Sequence, residues 1–178
     1  FAPLCKGTFR VESAAEVPGV FSLAYRAAMS GARGPVLIEV PEDVWTEKAE
    51  IDIDQMPLAV DAPPPIARSD VKAALEMLSA ARLPLVLSGA GVAYSHSSPE
   101  MVKLVEALSL PVITTGNGRG TIPETHPLSL KWLGMHGTAY AHWAVSEADL
   151  LLAFGVRFDD RVTGKADKFC EHGTIVHV

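Results

Sequence analysis

Three apolar runs, at 84–88, 111–115 and 149–154, each lead straight into glycine, and segments of helical length separate them. The first runs into Gly89-Ala90-Gly91, the second into Gly116-Asn117-Gly118-Arg119-Gly120, and the third into Gly155-Val156-Arg157-Phe158-Asp159-Asp160-Arg161. Short apolar runs of this kind read as buried strands. Strands alternating with helices imply βαβ units, right-handed crossovers and a parallel sheet covered on both faces. Such a sheet binds ligands beyond the carboxyl ends of its strands, which is where the glycines stand. There they permit close backbone approach, and the arginines offer charge to an anion. The first turn is not a GxGxxG fingerprint, because Val92 and Tyr94 follow Gly91.

The intervening segments read as helices. Ser69 is a candidate cap for a helix with Val71, Ala74, Leu75 and Leu78 on one face, and Ser98-Pro99 opens a second with Val102, Val105 and Leu108. Residues around 138–146 form a third. A β-branched run at 174–178 reads as a strand, and both chain ends look cut, as in a piece of a longer polypeptide. Upstream, Ser13 and Glu16 fit a capping box, or Pro18 marks the first turn, of a helix over about 15–29 with Val20, Phe21, Ala24, Tyr25 and Ala28 on one face. Gly31 ends it, and 35–41 reads as the following strand. Mixed charges and Pro63-Pro64-Pro65 mark 46–68 as an interdomain linker that proteases should cut readily. The chain thus divides into 1–45, the last helix and strand of an N-terminal α/β domain, the linker, and 69–178, a Rossmann-like α/β domain with helices on both faces of a parallel sheet.

Composition excludes several classes. The chain has 178 residues, 48% hydrophobic, with a net charge of −6, which disfavours a nucleic-acid surface. No apolar stretch approaches the roughly 18 to 20 residues that cross a bilayer, so cytoplasmic residence is the default expectation. Cys5 and Cys170 lack metal or redox spacing, and the six histidines form no HxxxH or HExxH pair, so no metal site is expected. No GxSxG elbow is present.

The stretch 133–141, Leu-Gly-Met-His-Gly-Thr-Ala-Tyr-Ala, followed by 149–165, with Asp149 through Phe154 and then Gly-Val-Arg-Phe-Asp-Asp-Arg-Val-Thr-Gly-Lys, resembles the acetolactate synthase (acetohydroxyacid synthase) large subunit, a thiamine-diphosphate enzyme family. The resemblance covers the whole chain. It implies that 1–45 is the end of the pyrimidine-binding domain and 69–178 most of a central domain, incomplete at its C-terminus, that holds FAD. It further implies that Gly89, Ala90, Gly91 and Thr115 approach the ribityl and phosphate portion and that Leu133, Gly134, Met135 and His136 line the flavin's path. Gly155, Val156, Arg157, Asp159, Arg161 and Val162 would flank flavin and pyrophosphate, with Arg161 also reaching the substrate channel. The activating glutamate and the segment binding Mg²⁺ and thiamine diphosphate would lie outside this chain, leaving no catalytic residue within it and the isolated piece inactive. Implied partners are small 2-oxo acids, further copies of the same subunit and a regulatory subunit. The chain departs from the family pattern at Ala32 or Arg33, at Glu42, at Gly116 and Asn117, and at Trp132. Two other readings stay open: a sister thiamine-diphosphate carboligase or decarboxylase with a different nucleotide, and a non-catalytic nucleotide-binding or structural module.

Overall fold

The computed structural model describes residues 1–52, 60 and 65–178. The chain forms two compact units, Phe1–Pro65 and Ile66–Val178. In the first, β1 (Gly7–Arg10), α1 (Val17–Met29) and β2 (Val36–Glu39) make a βαβ unit whose two strands pair in parallel. A short helix α2 (Glu42–Thr46) follows. Strand β1 is not evident from its sequence, Gly-Thr-Phe-Arg, which carries a single large apolar side chain. Helix α1 starts at Val17 with Pro18 in its first turn, and the capping box does not form. Instead, the Glu16 carboxylate accepts from the Glu12 N–H, and the Ser13 side chain caps nothing. Past the helix end, Gly31 adopts φ +56°, the left-handed conformation that glycine accepts without a Cβ penalty. Of the linker expected over 46–68, residues 53–59 and 61–64 lie outside the described residues; Thr46 closes α2, and α3 (Arg68–Ala80) already begins at Arg68.

The second unit contains α3, β3 (Pro84–Ser88), α4 (Ala90–Tyr94), α5 (Ser98–Leu108), β4 (Val112–Thr114), β5 (Ser129–Trp132), α6 (Ala139–Glu147), β6 (Leu150–Phe154), α7 (Asp160–Thr163) and β7 (Thr174–His177). Its sheet has five strands in the order β5-β4-β3-β6-β7, and all the pairings are parallel. Strand β5 is the element the sequence pattern conceals. Its residues Ser-Leu-Lys-Trp show no apolar run, Lys131 sits at φ +64°, and the register with β4 shifts between Val112 and Thr114.

Side-chain alternation along the strands builds two cores. Leu85, Leu87, Ile113, Leu151 and Ala153 point to one face, where Ala141 and Val145 of α6 and Leu133 cover them. Val86, Val112, Leu150 and Leu152 point to the other, against Met101 and Val105 of α5. Burial on both faces explains why these strands read as unbroken apolar runs rather than as alternating ones. The predicted caps differ in detail: Ser69 lies inside α3 and bonds Asp70, while Ser97 rather than Ser98 occupies the cap position of α5. Of the predicted α3 face, Ala74 and Leu78 are half-buried, whereas Val71 and Leu75 are exposed. Cys5 and Cys170 are both free thiols, and burial pushes the Cys170 thiol pKa up, away from reactive thiolate. Among the described residues no helix is long and apolar enough to cross a membrane.

One polar tie fixes how β3 enters the sheet. The Asp149 carboxylate, just ahead of β6, accepts the backbone N–H groups of Arg82 at 2.7 Å and Leu83 at 3.0 Å. The Arg82 hydrogen bond is the largest cause holding the Asp149 pKa below its ordinary value. A carboxylate with a depressed folded pKa adds stability that is complete above the unfolded value near 3.9 and is lost as pH falls through the folded one. Asp149→Ala should therefore lower the thermal midpoint at pH 7, and its difference from the wild type should shrink in melts below about pH 4. A gap that stays constant down to pH 2 would show that the charge does not hold this junction.

Candidate functional site

The chain leaves β3 toward β4 and β5 on one side, then returns to lay β6 against the other edge of β3. The β3 and β6 tips are thus the topological switch point of the sheet, where two connections diverge and open a crevice. At these tips backbone meets backbone. A Cβ added to Gly89 would lie 2.2 Å from the Gly155 carbonyl oxygen, and one on Gly91 would lie 2.6 Å from the Gly155 Cα. Gly155 itself has φ +59°. No side chain fits at any of the three.

Their N–H groups are engaged within the chain. Gly89 donates to the Phe154 carbonyl at 2.8 Å, Gly91 to Gly155 at 3.0 Å, and Gly155 to Val178 at 2.8 Å. The close approach that the glycines permit is thus one of turn to turn, and these three N–H groups are not offered to a ligand. The glycines give the crevice a floor without side chains, and the donors for a ligand must come from the walls.

One wall follows β4. Thr115 accepts the Gly118 N–H on its hydroxyl at 3.0 Å, while a Cβ on Gly118 would lie 2.3 Å from the Ser88 carbonyl oxygen. Behind it the buried hydroxyls of Ser88 and Thr121 bond at 2.7 Å. A second wall is the turn from Trp132 to Thr138. Gly134 there adopts φ +124°, and its absent Cβ would meet the Arg161 carbonyl oxygen at 2.8 Å. That carbonyl accepts the Met135 N–H at 3.2 Å, and His142 Nε2 donates to the Gly134 carbonyl at 3.0 Å.

The third wall is 155–162. Arg157 pairs with Asp159 at 2.6 Å, and Asp159 also accepts the Val162 N–H, capping α7. The hydrogen bond from Arg157 holds the Asp159 pKa below the usual carboxylate range and raises that of Arg157. Arg161 reaches Met135 Sδ at 3.7 Å and Asp160 at 3.8 Å, with its side chain 69% exposed. Phe158, at φ +45°, packs edge-on against His177 and Phe169 and anchors the segment to the core.

These walls enclose a cleft of about 650 Å³. Of the residues singled out from sequence, Ala90, Gly91, Thr115, Leu133, Gly134, Met135, His136, Gly155, Arg157, Asp159, Arg161 and Val162 line it. Gly89 lies in the floor contact and Val156 is buried, so neither lines the cleft. Four lining residues were missed: Tyr94, Gly116, Asn117 and Trp132. Gly116 and Asn117 belong to the second strand-end motif, and Trp132 directly precedes Leu133, so adjacency was the available signal. Tyr94 enters through α4, a one-turn helix with no clear periodicity of its own. A smaller cavity of about 390 Å³ shares Leu133, Gly134, Met135, Arg161 and Val162 with the cleft, which places Met135 and Arg161 between the two.

Comparison with known proteins gives one family match: the thiamine pyrophosphate enzyme central domain corresponds to residues 71–178. Over its whole length the chain is 38% identical to a probable acetolactate synthase large subunit of Methanococcus aeolicus, covering 31% of that protein. It is 39% identical to the acetolactate synthase isozyme 1 large subunit of Escherichia coli K12, with 99% of this chain and 31% of that one aligned. Chloroplastic acetolactate synthase 2 of Zea mays is 40% identical over 98% of this chain and 28% of its own. The chain therefore spans just under a third of the length of these relatives.

The floor contact predicts a contrast between two glycines. Gly89→Ala drives a methyl into the Gly155 backbone and should cost about 1–3 kcal/mol in denaturant unfolding, the usual toll of overpacking. Gly116→Ala meets only the Trp132 ring, at 3.7 Å, and should change stability by no more than about 0.5 kcal/mol. Equal losses at both positions would contradict this account of the floor.

Proposed function

We propose, from the premise that this chain belongs to the thiamine pyrophosphate enzyme family and carries its central domain, that it is part of an acetolactate-synthase-type subunit whose cleft beside β3 and β6 holds FAD. The observation that carries this reading is the floor of Gly89, Gly91 and Gly155, which lets an extended dinucleotide lie against backbone, flanked by two arginines. Ala90 and Thr115 would border the ribityl and phosphate portion, Leu133 through His136 the flavin's path, and Gly155 through Val162 the pyrophosphate. Val156, buried, would act by supporting the backbone beneath.

Charge bookkeeping singles out Arg161. The segment 157–161 carries Arg157, Asp159, Asp160 and Arg161, a neutral set, so an anion can gain a counter-charge only if an arginine turns toward it. Arg157 is tied at 2.6 Å to a carboxylate that also caps α7. Arg161 is held loosely, at 3.8 Å from an exposed Asp160, and stands at the rim with Met135. It is the arginine that can swing to a pyrophosphate or to a substrate carboxylate without undoing local structure.

The reaction proposed for the whole polypeptide is decarboxylation of pyruvate and transfer of the two-carbon unit to a second 2-oxo acid, with no net redox change for FAD. Thiamine diphosphate with Mg²⁺, which residues outside this chain would hold, would supply carbanion stabilisation. Residues 1–45 would be the end of the pyrimidine-binding domain and 46–68 the linker. Relatives named as large subunits support a second, regulatory subunit as partner. Two free thiols suit a reducing, cytoplasmic compartment. The second reading, a sister carboligase or decarboxylase with an ADP-type nucleotide, draws on the departures from the family pattern at Ala32 or Arg33, at Glu42, at Gly116 and Asn117, and at Trp132.

The purified full-length polypeptide should show flavin absorbance. Arg161→Ala should weaken FAD binding roughly 10- to 100-fold, as expected for a lost charge-assisted hydrogen bond, while the thermal midpoint stays near that of the wild type. Release of an ADP-type nucleotide, or an arginine variant that unfolds while binding per folded molecule is unchanged, would overturn the assignment.

A further inference from the structure

The cleft contains an aromatic side chain that the dinucleotide reading leaves without a task. Trp132, at the end of β5, lines the cleft and is only half-buried. Its ring is held from two sides. The Arg119 guanidinium lies over it, 5.4 Å from the ring centroid, and is itself fixed by an ion pair to Glu124 at 2.7 Å. Gly116 presents no side chain, and the ring edge sits 3.7 to 3.8 Å from where its Cβ would be, in ordinary packing distance. Arg119 is not among the residues that line the cleft, whereas Trp132 is. A cation over an aromatic face is attracted to the ring quadrupole, which resists rotation of the indole.

We propose that Trp132, backed by Arg119 and Glu124 and given room by Gly116, is a stacking platform that selects ligands carrying a planar conjugated ring. This rests on the reading of the cleft as a dinucleotide site and deepens it by naming the contact that recognises a ring rather than a phosphate. FAD carries two such rings, the flavin and the adenine, and the platform takes one of them. Offset stacking on a pre-positioned aromatic ring is sequence-independent, loses little side-chain entropy and needs no hydrogen bond from the ligand. Trp132 is therefore a binding residue, while Arg119 and Glu124 are positioning residues that act through it.

The test titrates the full-length apoprotein with FAD, FMN and ADP-ribose, in the wild type and in Trp132→Phe, Trp132→Leu and Arg119→Met, with a thermal melt for each. Trp132→Leu should weaken FAD and one of the two half-ligands about 3- to 10-fold and leave the other half-ligand unchanged. FMN as the affected half assigns the flavin to the platform, and ADP-ribose assigns the adenine. Trp132→Phe should recover most of the loss, and Arg119→Met should give a smaller one with the same selectivity. Equal weakening of both half-ligands, or none, with an unaltered melt, overturns the platform while leaving the FAD reading intact. A wild type that binds ADP-ribose but not FAD overturns the FAD reading, and the ADP-ribose arm still decides the platform. A wild type that binds none of the three overturns both.

Discussion

The backbone contact between the β3 turn and the β6 turn is the constraint on which the rest of this domain depends. Gly89 and Gly91 lie against Gly155 so closely that a single methyl group would collide, and the three N–H groups are spent on neighbouring carbonyls. Because these tips can approach, the parallel register between β3 and β6 persists to Ser88 and Phe154, and the switch point opens as a smooth-floored cleft. Larger residues here would collide with the facing turn and part the strands.

Around that floor, polar chemistry is confined to the walls and is mostly self-satisfied. Asp159 serves both as the cap of α7 and as the partner of Arg157, so the segment that borders the cleft keeps its shape without a ligand. The Gly134 turn is pinned by His142 on one side and by the Arg161 carbonyl on the other. The more loosely held side chains of the cleft are those of Arg161 and Met135, which touch each other at 3.7 Å, and the half-buried Trp132 ring, which Arg119 overlies. Buried hydroxyls at Ser88 and Thr121 bond one another beneath the β4 wall and fix its height above the floor.

Much of this was legible in the residues. Strands buried on both faces announce themselves as apolar runs, which is why β3, β4 and β6 were placed within a residue or two, while the exposed edge strand β7 was legible from its β-branched residues. Strand β5 was hidden because it lies at the sheet edge, needs only Leu130 and Trp132 as partial cover, and contains a residue at positive φ. Strand β1 was hidden for a similar reason: the four-residue Gly-Thr-Phe-Arg offers no alternation long enough to detect. Of the strand-end glycines, Gly91, Gly116 and Gly155 line the cleft, and the amides of Gly89, Gly91 and Gly155 bond within the turns. Sequence tells that a glycine permits close approach; it does not tell whether the approaching group is a ligand or another turn. The same ambiguity concealed Trp132, whose neighbours in space, Arg119 and Gly116, are brought to it by the β4–β5 connection.

Amide hydrogen exchange on the full-length polypeptide, with and without FAD, tests the central claim most directly. The account predicts that the Gly89, Gly91 and Gly155 amides exchange slowly before any ligand is added and change little on binding, while the wall segments 133–137 and 157–162 slow when FAD enters. Fast exchange at the three glycines in the free protein, followed by strong protection with FAD, would mean that their N–H groups serve the ligand and not each other's turns, and would contradict it.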